Sequence, residues 1–172
     1  MAIQIRMIRP EDAASFLQLC HQLDQETRFM LLEPGERTQT VEQQRRQLEE
    51  LQANQAIFVA VDGDRLIGYV SATGAHFRRI RHKAYLVAGI LQAYTGQGIG
   101  TRLFQAVEAW ARQRGLHRLE LTVMTHNAAG IALYTKQGFV IEGTARHSCI
   151  VDGHYVDEYY MAKLLDEANE RT

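Results

Sequence analysis

Between residues 84 and 101 an apolar run gives way to a turn with glycine at every second position, and this junction limits the folds open to the chain. Ala84-Tyr85-Leu86-Val87-Ala88-Gly89-Ile90-Leu91 is apolar almost throughout, as a strand buried on both faces is. Tyr94-Thr95-Gly96-Gln97-Gly98-Ile99-Gly100-Thr101 follows. From Gly98 to Arg114 the residues Leu103, Val107 and Trp110 then recur at helical spacing, with Gly115 as the stop signal. A strand that turns through glycines into an amphipathic helix belongs to an α/β protein. Without β-carbons, Gly96, Gly98 and Gly100 let several backbone N–H groups converge on one point. The helix N-terminus adds positive dipole and unpaired donors. Together they predict a phosphate or pyrophosphate site over Gly96, Gln97, Gly98, Ile99, Gly100 and Thr101. A tight turn that holds no ligand is the plain alternative.

The rest of the chain extends the same class. Ile3, Ile5 and Met7 alternate as in a strand that starts near Met1. Pro10-Glu11-Asp12 opens a helix with Phe16, Leu17, Leu19, Cys20 and Leu23 on one face. Phe29 to Arg37 is a loop. Thr40 caps a second helix, with Glu42 and Gln43 in its first turn. Ala56 to Val61 and Leu66 to Ala72 flank the turn signal Asp62-Gly63. Leu119 to Val123 is a strand, and Asn127 to Gln137 a helix ending at Gly138. Phe139 to Ile150 and Tyr155 to Lys163 flank Asp152-Gly153, a hairpin signal. The expected order is β-α-α-β-β-β-α-β-α-β-β, a mixed sheet with an antiparallel C-terminal hairpin, in one domain over residues 1–172.

Composition removes several classes. Hydrophobic residues are 46% of the 172 and charged residues 23%, and the net charge is −1. These are globular proportions, without the basic footprint of a nucleic-acid binder. No apolar run approaches the roughly 20 residues that span a bilayer. The two cysteines, Cys20 and Cys149, have no metal-ligand spacing and read as buried thiols in a reducing cytoplasm. No metal, nucleic-acid or membrane partner is expected. Among nucleotide patterns, the P-loop requires a Gly-Lys-Ser/Thr ending that is missing here. The dinucleotide pattern has a different glycine spacing, and the acidic residue it needs would fall near Glu120, inside a strand. A nucleotide- or phosphosugar-binding protein is therefore a weak third reading.

Leu91-Gln92-Ala93-Tyr94-Thr95-Gly96-Gln97-Gly98-Ile99-Gly100-Thr101-Arg102-Leu103 resembles the acyl-CoA-binding motif of the GNAT superfamily of N-acetyltransferases. A second block is similar to the same family: Leu121 to Asn127, then Ala132-Leu133-Tyr134, Gly138-Phe139 and Glu142-Gly143. The resemblance covers most of the chain from Ala56 to Leu164 and implies a GNAT-type acyl-CoA N-acyltransferase fold. It implies acetyl-CoA as co-substrate and direct attack by an amine, of a small molecule or a protein N-terminus, in a ternary complex. It maps the pantetheine arm to Gly89, Ile90 and Leu91 and the pyrophosphate to Gly96 through Thr101. The oxyanion donor would be the N–H of Ile90 or Leu91, and Asn127 would cap its helix or touch the coenzyme arm. Where the family often has Arg or Gln, this chain has Thr95, which keeps a hydroxyl but no charge. Where several relatives carry a basic Glu, it has Tyr85.

Tyr134 is the candidate acid. A phenol near pKa 10 keeps its proton at neutral pH and can hydrogen-bond a developing thiolate. Glu33, in the loop that lines the acceptor pocket of GNAT relatives, is the candidate for drawing in a cationic amine, with Glu36 beside it. Tyr85, His82 and His126 are further candidates for the base. Arg78-Arg79-Ile80-Arg81-His82-Lys83 is the one dense basic run. It reads as a solvated hairpin, a contact for the coenzyme 3′-phosphate, or a contact for an acidic partner. Tyr155, Tyr159 and Tyr160 in the last hairpin suit a homodimer contact. The competing function is a non-catalytic acyl-CoA-binding or partner-binding module.

Overall fold

The structure, a computed structural model, describes residues 2–165. Met1 lies outside the described residues, and the first strand begins at Gln4, after Ile3, rather than near the start of the chain. The elements are β1 (Gln4–Met7), α1 (Ala13–Glu26), α2 (Val41–Glu49), β2 (Gln55–Asp62), β3 (Arg65–Gly74), β4 (Lys83–Ile90), α3 (Ile99–Gln113), β5 (Arg118–Met124), α4 (Ala128–Lys136), β6 (Val140–Val151) and β7 (His154–Leu164). The order is the expected one. All seven strands form one mixed sheet in the order β1-β2-β3-β4-β5-β7-β6, with β4 and β5 its parallel pair.

Local chemistry explains the ends. Pro10–Asp12 forms a short 3-10 turn rather than the start of α1, because Asp12 is held from behind. Its carboxylate accepts two bonds from Arg6, at 2.7 and 2.9 Å, and one from the Arg9 amide at 2.8 Å. The Thr40 hydroxyl accepts from the Gln43 amide at 3.1 Å while Gln43 Oε1 accepts from the Thr40 amide at 2.9 Å, a reciprocal cap that starts α2. Asp152 and Gly153 have φ of +49° and +79°, the two left-handed positions of a type I′ turn.

The core lies between the sheet and helices on both faces. Phe16 of α1 meets Tyr69 of β3 edge-on, with centroids 5.2 Å apart. Tyr69 is paired with Gly89, and Gly68 with Ile90, so Tyr69 and Gly89 face α1 while Gly68 and Ile90 face the opposite side. Leu103, Phe104, Val107 and Trp110 bury the inner face of α3 there. Two expectations are corrected. β4 is not buried on both faces: Ala84 and Leu86 are buried, but Tyr85 and Val87 are each 40% exposed. Cys20 is buried, whereas Cys149 on β6 is only half-buried. Tyr155 and Tyr160 are exposed while Tyr159 packs on the core. Among the described residues no helix is long and apolar enough to cross a membrane.

Candidate active site

β4 and β5 pair at only three positions, Lys83 with Arg118, Ala84 with Leu119 and Tyr85 with Glu120. β4 continues to Ile90 and β5 to Met124. Beyond Tyr85 the strands diverge, and one edge of β4 has no strand partner. Tyr85 and Val87 stand on the same sheet face as Gly89 and are exposed there. Leu91 donates its N–H to Ile67 O at 2.9 Å. Backbone groups alternate sides along a strand, so Gly89 and Leu91 point toward β3 while Ala88 and Ile90 point toward the gap. The His82 carbonyl obeys the same alternation, accepting from the His117 and Arg118 amides at 2.8 and 3.1 Å. Of Gly89, Ile90 and Leu91, expected together to offer backbone groups, only Ile90 lies on the open edge. Leu91 is excluded as an oxyanion donor because its amide is already bonded. Ala88 takes its place on the edge. Nothing in a run apolar throughout reveals which parity faces the gap. Gly89 has a packing reason instead: a β-carbon there would sit 2.8 Å from Leu23 Cδ1 and 3.4 Å from Met30 Sδ.

The open edge leads through a 3-10 turn, Gln92–Tyr94, into the glycines. Gly96 and Gly98 have φ of +76° and +77° with open space around them, so their backbone conformation is what demands glycine. Gly100 differs. A β-carbon there would meet Leu133 Cδ2 at 2.8 Å, so it lets α3 approach α4. Each glycine thus has a conformational or packing reason, and the ligand argument rests on the amides. The N–H groups of residues 96–101 donate to no protein acceptor among the described residues. Gly98 caps α3 without a side chain, which leaves the first turn open to an anion. The Thr95 hydroxyl donates to Gln92 O at 2.8 Å, so its proton is committed within the turn. The Gln97 amide folds back toward Ala93 O at 3.4 Å.

Across the gap stands Tyr134 on α4. Its ring packs against Phe104 and Phe139, with centroids 5.4 and 6.3 Å away. Its hydroxyl has no partner among the described residues. Burial pushes the phenol up to about 12, and nearby Tyr85 adds to the rise. Asn127 caps this helix, its Oδ1 accepting from the Gly130 amide at 3.0 Å. The absence of a side chain at Gly130 makes room for it.

The α1–α2 connection lies over the same region. Met30 covers Gly89, Phe29 meets the His126 ring at 5.1 Å, and Arg28 pairs with Asp152 at the hairpin tip. Glu33 is exposed on this loop, and its amide donates to Glu36 Oε2 at 2.7 Å. His82 lies at the start of β4, away from the glycine turn, as does the basic run. Glu26 was not singled out by motif or spacing. Its Oε1 accepts from the Gln92 amide at 3.1 Å, just past the end of β4, and its Oε2 is sealed from solvent without a partner. The one signal for it in the sequence is a carboxylate in a helix's last turn, where the dipole opposes it.

An open parallel-strand gap ending in unbonded amides at a helix start invites comparison with known proteins. The profile of the acetyltransferase (GNAT) family matches residues 17–139. The chain belongs to this family. It is 31% identical over 112 residues to the L-amino acid N-acetyltransferase AaaT of Escherichia coli, covering 63% of this chain and 67% of that protein. An acetyltransferase of GNAT family from Streptococcus pneumoniae superimposes with a TM-score of 0.91 at 32% identity, over 95% of this chain and 99% of that one. The yncA protein of Salmonella typhimurium, solved with acetyl-CoA, shares the fold with a TM-score of 0.85 at 22% identity, over 97% and 96% of the two chains. This GNAT member is an acyl-CoA-dependent N-acetyltransferase, and the reading as a module without catalysis is set aside.

Proposed function

We propose that the protein transfers an acetyl group from acetyl-CoA to a primary amine of a small molecule or a protein N-terminus, by direct attack in a ternary complex. The observation that carries this reading is the unpaired edge of β4 running straight into the open amides of residues 96–101. The amides and the α3 dipole suit the diphosphate. Ala88 and Ile90 suit the amide-bearing pantetheine arm, which would lie along the edge as an added strand. The thioester then comes into the gap beside Tyr134.

The chemistry needs three groups. The Ile90 N–H is the candidate donor to the developing oxyanion. Tyr134 hydrogen-bonds the departing sulfur. A phenol held at about 12 keeps its proton beside a thiolate whose own pKa is about 8.5, so it stabilises that charge as a donor. An ammonium acceptor first gives up one proton. As the C–N bond forms and the C–S bond breaks, nitrogen loses a second proton, which ends on sulfur. Glu33 supplies negative charge on the loop over Gly89 and draws in the cationic amine. Glu26, with its unpartnered oxygen, is a second candidate to take the first proton. Asn127 supports the site by fixing the start of α4.

AaaT is an L-amino acid N-acetyltransferase, and a ribosomal-protein-alanine N-acetyltransferase from Brucella melitensis shares the fold at 27% identity, with a TM-score of 0.82 over 94% of this chain and 99% of that one. The shared feature is an α-amine, so a test panel starts there. Thiol release from acetyl-CoA, followed across free amino acids, short peptides and polyamines, should depend on the amine. Coenzyme uptake by calorimetry without release by any amine would sink the proposal.

A further inference from the structure

The basic run Arg78 to Lys83 lies in the connection from β3 to β4, at the end of β4 opposite the glycine turn. The eight residues of β4 span about 26 Å at roughly 3.3 Å each. A diphosphate on residues 96–101 is therefore far from these cations. Arg78, Arg79 and Arg81 are exposed, and none makes an ion pair or hydrogen bond among the described residues. Phe77, beside them, is 78% exposed. A chain of net charge −1 thus carries, on one loop, an exposed aromatic ring and three guanidinium groups without a partner among the described residues.

A groove of about 270 Å³ opens beside this loop. Ala53, Ala75, Trp110 and Leu116 supply its apolar lining, Asn54 and His76 neutral polar groups, and Arg81 and Arg114 its two guanidinium groups. The Arg114 guanidinium lies 6.0 Å from the centre of the Trp110 ring. No carboxylate lines the groove among the described residues.

We propose that this groove and its basic loop bind an acidic peptide segment of another protein. An aliphatic side chain of that segment packs on the apolar lining around Trp110 and Leu116, and its carboxylates meet Arg81 and Arg114, with Arg78 and Arg79 on the adjoining loop. Guanidinium pairs with carboxylate through two parallel hydrogen bonds, and cations of one sign without internal partners favour encounter with an acidic surface. The shape favours a peptide over other anions. A bilayer cannot enter a concave groove, and a single exposed aromatic ring offers no run of stacking platforms for single-stranded nucleic acid.

Trp110 is the only tryptophan of the chain, so its emission reports directly on the groove. The probe is a blocked glutamate-rich peptide carrying one leucine, titrated at low salt, with anisotropy of the labelled peptide as an independent measure. Saturable binding that weakens with salt and falls at least about tenfold in Arg81→Glu and in Arg114→Glu is expected. Both variants should release thiol from acetyl-CoA at the wild-type rate, since neither residue is near the gap. Absence of saturable binding, equal affinity in the variants, or tighter binding of oligouridylate or phosphatidylserine vesicles than of the peptide would overturn the proposal.

Discussion

The hydroxyl of Tyr85 lies 2.7 Å from Oγ1 of Thr122, just past the last backbone pair between β4 and β5. This side-chain bridge ties the strands where their main chains part and keeps Tyr85 beside Tyr134. Tyr85→Phe removes the bridge and keeps the ring. A half-exposed hydrogen bond contributes about 1 kcal/mol, so the melting temperature should drop by about 2–4 °C with turnover reduced less than tenfold. A loss as large as that of Tyr134→Phe would instead give Tyr85 a direct part in proton handling.

Tyr134→Phe keeps the packing against Phe104 and Phe139 and removes only the hydroxyl. Lost donation to the sulfur affects the transition state and not the bound coenzyme. The expected result is a fall in kcat of about 10²-fold, with the KM for acetyl-CoA nearly unchanged. Steady-state kinetics with the best amine checks this, and an unaltered kcat would remove the hydroxyl from the reaction.

Elements with strong local chemistry were legible in the sequence. The reciprocal cap at Thr40 and Gln43 and the turn at Asp152-Gly153 depend only on neighbouring residues, and both stand where the pattern put them. The long-range arrangement was not legible. The parting of β4 from β5 after Tyr85 depends on the pairing of two distant segments, and which face of an apolar run stays open depends on where distant helices pack, so the run read as buried on both sides has Tyr85 and Val87 on an open face. The same cause hid that the Leu91 amide is bonded to Ile67 O and that Ala88 points to the open edge. Glu26 was hidden because its neighbour, the Gln92 amide, lies 66 residues away in sequence.

The glycines of the turn should separate by variant. Gly98→Ala places a side chain at φ +77° with nothing nearby to strike, a strain of about 1–2 kcal/mol. Its expected effect is weaker coenzyme uptake, as the amides shift, with a modest loss of melting temperature. Gly100→Ala drives a methyl into Leu133 at 2.8 Å and should lower the melting temperature more. Calorimetry with coenzyme A beside thermal unfolding tells them apart. The reverse ranking would mean that Gly98 holds the fold and Gly100 the ligand.

Two carboxylates compete for the acceptor side of the reaction, and they differ in surroundings. Glu33 is exposed, while Glu26 has one oxygen bonded and the other sealed away. Glu33→Gln should raise the KM of a cationic amine about 3- to 10-fold, as expected when one charge steers an exposed ligand, with kcat retained. Glu26→Gln keeps an acceptor for the Gln92 amide but cannot take up a proton. If Glu26 is the base, kcat falls about 10²-fold or more and the acidic limb of the pH–rate profile disappears. An unchanged limb would return proton uptake to Glu33 or to solvent.

Stability at high pH should follow three groups that the fold keeps neutral. Burial pushes the Cys20 thiol up to about 11 and the Tyr134 phenol up to about 12, and raises the Tyr69 phenol still further. Their unfolded values are 9.0 for the thiol and 10.0 for the phenols. A group whose pKa is raised by folding contributes in full below its unfolded value, and the contribution is lost as pH rises toward the folded value. The urea midpoint should therefore lose no ground to these groups between pH 7 and about 9, then decline steadily toward pH 12. Phe at position 134 cannot ionise in either state, so Tyr134→Phe should soften the decline above pH 10.0, where the unfolded phenol begins to titrate. Cys20→Ala should soften the earlier part, between pH 9.0 and about 11. A wild-type midpoint that holds level through pH 11 would mean that these side chains reach solvent without unfolding, and that the space around Tyr134 is wetter than its packing against Phe104 and Phe139 implies.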